Sequence, residues 1–226
     1  MFPTNVFGII FLFAMLHLSN GFVRYFPPQT KPHYHYYGYS SSSEEVDKVE
    51  TWKKETQDEI VRCHNDVRRK VDPPASDMRK MIWNDDAAKN AQNVADMCLQ
   101  KHSHPSKRII KEPFVTTCGE NLYFSSAKDP WKDAVDDWYS EFKAFVYGYG
   151  AKTQDDIIGH YTQVVWSDTW LMGCGYQYCA NLKYHNLYVC HYCPAGNMEN
   201  KMKTPYQKGH SCSKCKGKCE NKLCVE

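Results

Sequence analysis

Apolar residues recur every three or four positions in three stretches of the chain and alternate with other residues in two more. In 55–71, "ETQDEIVRCHNDVRRKV", the positions Ile60, Cys63/His64, Val67 and Val71 share one helix face, and Asp72-Pro73-Pro74 stops that helix. A second helix is predicted over 85–100, with a stripe of Ala87/Ala88, Ala91, Val94/Ala95 and Cys98 and a cap from Asn84 or Asp85. A third runs over about 129–147, with Asp129 as N-cap, Pro130 at the first helical position and a core face of Trp131, Ala134/Val135, Trp138, Phe142 and Phe145. After about residue 170 the period changes. "LMGCGYQYC" and "HNLYVCHYC" are short, aromatic and β-branched, with a polar connection between them, and read as an antiparallel strand pair. Helices first and strands later predict a layered α+β domain.

The ends of the chain differ from this middle. Residues 6–18 form an uncharged apolar block of 13 residues, too short to span a bilayer, followed by a small-x-small site at Ser19 and Gly21. Residues 1–21 therefore read as a secretory signal peptide, and no later segment is apolar for long enough to cross a membrane. Residues 22–50, rich in Tyr, Pro, His and Ser, show no periodicity and read as a disordered leader or pro-segment. His33 and His35 within it are a weak metal pair at most. From Asn197 the chain holds seven Lys against three Glu, a net charge of +4, and almost no aliphatic residues. Such a segment cannot build a core of its own, so Cys212, Cys215, Cys219 and Cys224 must staple it.

Charge and cysteine content narrow the function classes. A formal net charge of +2 gives no global field for nucleic acid, and no Asn-x-Ser/Thr acceptor occurs. All 11 cysteines follow the leader, which in an oxidising compartment reads as disulfides. Zinc at the Cys-x-x-Cys pairs 190/193 and 212/215 is the weaker alternative. An odd count leaves at least one thiol over. Six cysteines allow 15 pairings and four allow three, so spacing alone does not choose among them.

"GHYTQVVW" (159–166) and "YVCHYCPAGN" (188–197) resemble the two signature stretches of the CAP superfamily. "HNDVRRKVDPPASDM", "HSHP", "CGENLY" and "WYSEF" are similar to further blocks of that superfamily, in the expected order, so the resemblance spans about residues 55–197. The four-cysteine tail resembles the hinge of the cysteine-rich secretory proteins. A six-cysteine, channel-regulating module usually follows that hinge and is absent from this sequence. The resemblance implies a three-layer α/β/α sandwich over 51–196 with a small disulfide-stapled C-terminal hinge over 197–226. It also implies the pairs Cys98–Cys179, Cys118–Cys193, Cys174–Cys190, Cys212–Cys219 and Cys215–Cys224. Cys63 is then the unpaired one, either a buried thiol in a monomer or the link of a covalent dimer.

The resemblance further implies a cleft tetrad of His102, Glu120, Glu141 and His160. Glu141 borders the apolar stripe of its helix and so needs a partner, while Glu120 follows Gly119 in what reads as a fixed loop. Three readings follow. The four groups satisfy one another as a hydrogen-bond network, or His102 and His160 hold Zn²⁺ with the glutamates orienting them, or the set hydrolyses a substrate. Hydrolysis needs a nucleophile or activated water, and Ser125 or Ser126 is the only ready hydroxyl near these motifs. His104 is an alternative to His102, and His64 reads as a packing or hydrogen-bonding residue of the first helix.

By resemblance the function is that of a secreted, non-enzymatic binding or signalling protein, reproductive in setting, acting on an extracellular or cell-surface protein receptor, sperm included. A zinc-dependent hydrolase and an ion-channel-modulating toxin are the alternatives, and lipid or sterol binding occurs elsewhere in the superfamily.

Overall fold

The computed structural model describes residues 49–225. The signal peptide, nearly all of the leader and the His33/His35 pair lie outside the described residues, as does Glu226. Four α-helices are present among those described: α1 (Lys54–Arg68), α2 (Asp85–Ala95), α3 (Trp131–Ser140) and α4 (Gly159–Val164). The strands are β1 (Ile82–Trp83), β2 (Ile109–Ile110), β3 (Thr116–Thr117), β4 (Gly119–Ser125), β5 (Phe145–Val146), β6 (Gly150–Ala151), β7 (Leu171–Tyr178), β8 (Asn186–Cys193), β9 (Lys218–Glu220) and β10 (Leu223–Val225).

The central sheet has the order β1-β7-β8-β4. β7 and β8 are antiparallel with Leu171 opposite Cys193, and β4 pairs antiparallel with β8 so that Glu120 lies opposite His191. Alternation along β7 and β8 sends successive side chains to opposite faces. Met172, Cys174, Tyr188, Cys190 and Tyr192 meet Ile60, Val67, Trp131, Trp138 and Val164 of α1, α3 and α4 in the main core. Val189, Leu187, Leu171 and Cys193 pack on the other face beneath Ala87, Ala91 and Ala95 of α2. Helices thus cover both faces of the sheet in a three-layer α/β/α sandwich. Two glycines set the spacing of the upper layer. A Cβ on Gly173 would lie 2.1 Å from the Ala88 nitrogen, and one on Gly175 would lie 2.5 Å from the Gln92 backbone. Only glycine lets α2 approach β7 this closely.

Several boundaries differ from the sequence expectation. α1 ends at Arg68, four residues short of Pro73. α2 has its cap at Asn84, whose side chain accepts from Ala87 N at 2.8 Å, but stops at Ala95 rather than residue 100. Cys98 has a left-handed φ of 49° and is bonded to Cys179 just past β7, so the helical stripe cannot extend through it. α3 starts at Trp131, and Asp129 is not its cap. Asp129 instead accepts from the Tyr123 hydroxyl at 2.8 Å through its carboxylate and from the Tyr188 hydroxyl at 2.6 Å through its carbonyl. The predicted run to residue 147 breaks after Ser140 into a 3₁₀ turn (Glu141–Ala144) and β5, which leaves Phe142 exposed rather than in the core.

The tail does not stand apart from the domain. Leu223 is fully buried in the main core, Cys224 N donates to the Met78 carbonyl at 2.8 Å, and Lys80 N donates to the Cys224 carbonyl at 2.8 Å. Lys80 also pairs with Glu220 at 2.7 Å. The stapled segment thus borrows an apolar core that it cannot form alone. The structure has five disulfides, Cys98–Cys179, Cys118–Cys193, Cys174–Cys190, Cys212–Cys219 and Cys215–Cys224. With those sulfurs paired, the Cys-x-x-Cys motifs have no thiolate left for zinc. Cys63 is free and buried in the main core, and burial raises its thiol pKa, which makes it a poor nucleophile. A disulfide through Cys63 to a second chain requires this buried thiol to be uncovered first.

Candidate functional site

The four tetrad residues form two His–Glu pairs on either side of edge strand β4. Glu120 is the second residue of β4, not part of a loop as its flanking sequence suggested. Its side chain has no solvent exposure. Oε1 accepts from His102 Nδ1 at 2.8 Å and from Ser103 N at 2.9 Å. Oε2 accepts from the Ser103 hydroxyl at 2.6 Å and from His191 Nε2 at 3.1 Å. Arg108 approaches Oε1 at 4.0 Å. A carboxylate offers about four acceptor sites, and here all are taken. Burial alone would raise the Glu120 pKa, but the hydrogen bonds from His102, His191 and Ser103 outweigh it and hold the group well below the usual carboxylate range.

The second pair lies where the residue after α3 meets the first turn of α4. Glu141 is the first residue past α3, and its Oε2 accepts from the backbone N–H groups of His160 at 2.9 Å and Tyr161 at 3.0 Å. Oε1 accepts from His160 Nδ1 at 2.6 Å. The carboxylate thereby satisfies unpaired amides in the first turn of α4 while fixing the His160 ring. This use of Glu141 coincides with the point at which α3 tightens into a 3₁₀ turn.

β4 joins the two pairs. Glu120 and Asn121 point to opposite faces of the strand. Asn121 Nδ2 donates to the His160 carbonyl at 3.2 Å and lies 3.5 Å from the Tyr192 hydroxyl. Tyr192 in turn meets His64 Nε2 at 2.9 Å, and His64 Nδ1 meets the Ile60 carbonyl at 2.8 Å. His64 is fully buried, and burial lowers its pKa to about 4, so the ring is neutral at physiological pH. It is therefore a hydrogen-bonding core residue beneath the site, as its helical spacing predicted.

Because a carboxylate can only accept, each tetrad histidine carries its proton on Nδ1. Neither His102 Nε2 nor His160 Nε2 makes a hydrogen bond to a described residue, so each lone pair is available. A carboxylate bonded to the far nitrogen is the usual setting of a metal-binding histidine. Among the described residues no group of three or more His, Cys, Asp or Glu side chains is placed to hold a metal, so the donor chemistry fits zinc while the protein supplies at most two first ligands.

The other candidates fall elsewhere. His104 bonds Ser106 Oγ at 2.8 Å and caps a short 3₁₀ turn, Pro105–Lys107, so it does not replace His102. Ser125 Oγ accepts from Ala127 N at 3.2 Å as a turn hydroxyl. Sequence reasoning missed His191, the fully buried partner of Glu120, whose Nδ1 has no hydrogen-bond partner among the described residues. Its position could be found only once β4 was recognised as a strand paired with β8.

Residues 61–192 match the CAP family, described as the cysteine-rich secretory protein family. The chain is 49% identical over 171 residues to allurin of Xenopus tropicalis, covering 76% of this chain and 83% of that relative. It is 47% identical over 178 residues to cysteine-rich secretory protein 3 of Homo sapiens, covering 77% and 70%. A solved structure of NaASP2 with Zn²⁺ superimposes with a TM-score of 0.60 at 31% identity, over 76% of this chain and 96% of that one. No helix among the described residues is long and apolar enough to cross a membrane. With its sandwich fold, two signature stretches and stapled tail, the chain belongs to the CAP superfamily, in the cysteine-rich secretory protein branch.

Proposed function

We propose that the chain acts outside the cell as a non-enzymatic binding and signalling protein, engaging a protein receptor on the sperm surface and directing sperm movement. The observation that carries the non-enzymatic part is the state of the two glutamates. Glu120 is fully buried and accepts four hydrogen bonds, which leaves it no site to take a proton from water or a substrate, and three of the four acceptor sites of Glu141 are spent on holding His160 and Tyr161. The identity to allurin supports the reproductive part. In a two-chamber assay with Xenopus tropicalis sperm, purified protein should draw cells up its gradient and bind them saturably. Random movement together with no saturable binding would contradict the proposal.

A metal role for the same residues is favoured by the two available Nε2 lone pairs, and a zinc-containing relative supports it. Here His102 and His160 are the ligands, and Glu120 and Glu141 orient the rings; bound zinc would act as a structural and electrostatic centre. Calorimetric titration should show Zn²⁺ binding that is lost in His102→Ala/His160→Ala and weakened about 10–100-fold in Glu141→Gln. Equal affinity in all three proteins would exclude this site.

A further inference from the structure

We infer that the junction between the end of α1 and the β9–β10 turn is a binding site for the sulfate esters of an extracellular polysaccharide. A pocket of about 150 Å³ lies there, and Arg68, Arg69, Lys70, Ser211 and Lys222 are among its lining residues, with no acidic side chain. Organic ligands usually occupy pockets of about 300 Å³ or more, so this space suits one tetrahedral oxyanion ester better than an apolar molecule.

Arg68 contributes charge but no further donors. Its guanidinium is buried and its nitrogens donate to the carbonyls of Arg79, Val164, Trp166, Ser167 and Thr169. Arg69 spends Nε on the Asn221 carbonyl at 3.1 Å and Nη1 on Asp66 at 2.7 Å, which leaves Nη2 without a partner among the described residues. Lys70 and Lys222 have no carboxylate partner among the described residues. The turn that presents Lys222 is held by two left-handed residues, Asn221 (φ 46°) and Lys222 (φ 65°), and docked by the Arg69–Asn221 bond. Of the nearby acids, Asp66 is spent on Arg62 and Arg69 and Glu220 on Lys80, while Asp77, which offsets part of the Arg68 charge, accepts from Ser167 Oγ and Gln207 N and does not line the pocket. The pocket therefore keeps a positive field, with the free Nη2 of Arg69 and the ammonium groups of Lys70 and Lys222 around it.

A polyanionic glycan fits better than a membrane. Among residues 197–225, Met198 is the only exposed large hydrophobic residue, so the face lacks the apolar anchor that headgroup binding uses. The choice of a glycan rests on the extracellular reading, whereas the pocket itself is independent of the tetrad.

The test is calorimetry of the secreted protein with a heparin-derived hexasaccharide across about 50–200 mM NaCl. Lys70→Ala/Lys222→Ala should weaken binding about tenfold or more and reduce the log–log salt slope by roughly 1.5–2. Lys201→Ala/Lys203→Ala removes the same charge from tail residues that line other cavities and should change affinity by less than about twofold. The inference is overturned by no binding of the hexasaccharide, by equal losses in the two double variants, or by equal binding of a desulfated hexasaccharide. Tighter binding to phosphatidylserine vesicles than to the hexasaccharide would likewise overturn it in favour of a membrane.

Discussion

Arg68→Met is expected to lower the thermal midpoint by roughly 10 °C or more. Arg68 is the last residue of α1, four positions after His64, so its helix turns it inward. Once inside, it reaches five backbone carbonyls in the segments 79 and 164–169, at 2.6–3.4 Å. Burial lowers its pKa to about 9, which still leaves it charged at neutral pH. Methionine matches the stem but leaves those carbonyls without a donor, each costing about 1–3 kcal/mol. Relief from burying a charge offsets several kcal/mol of that. The net loss is about 3–5 kcal/mol, in the range for breaking a buried charge cluster. Arg68→Lys, with one compact donor group in place of the planar fork, should fall between the two. Calorimetric melting of the oxidised protein measures this, and a midpoint within about 2 °C of the parent would refute the role given to Arg68.

The second large effect is expected from Glu120→Ala. The substitution removes the acceptor for four hydrogen bonds and strands His191, whose ring is fully buried. A loss of about 3–5 kcal/mol follows, with faster amide exchange at Ser103 as the 101–104 segment is released. The pH dependence has a definite sign. The folded-state pKa of Glu120 lies below its ordinary value of 4.5, so its contribution is fully present above about pH 4.5 and declines as pH falls toward the folded value. The parent should therefore lose stability more steeply than Glu120→Gln below about pH 4.5. Parallel acid titrations of the two proteins, or unchanged exchange at Ser103 in Glu120→Ala, would count against the carboxylate as the hub of this half of the site.

These two residues also mark where the sequence was hard to read. The β7–β8 pair was legible because alternating apolar and aromatic residues have one straightforward interpretation, and its observed bounds match to within a residue. β4 was not, because "CGENLYFSS" places Glu120 and Asn121 directly after Gly119, and in a strand such residues are expected at the surface. Only pairing with β8 buries both. Arg68 was hidden for a related reason, since an arginine at a helix end is ordinarily solvated. α3 was overextended because Phe142 and Phe145 continue its apolar period, whereas Glu141 is drawn to the start of α4. The membership of the tetrad and the cysteine pairs came from the family resemblance, since neither spacing nor periodicity could have selected them.

The central claim is that His102, Glu120, Glu141 and His160 hold structure and present two nitrogen ligands, but do not catalyse. The most direct measurement is the turnover of peptide and ester substrates by purified protein, with and without Zn²⁺, beside His160→Ala/Glu141→Ala. The expected result is no turnover above that of the double variant in either condition. Zinc-dependent turnover that disappears in the double variant would contradict it.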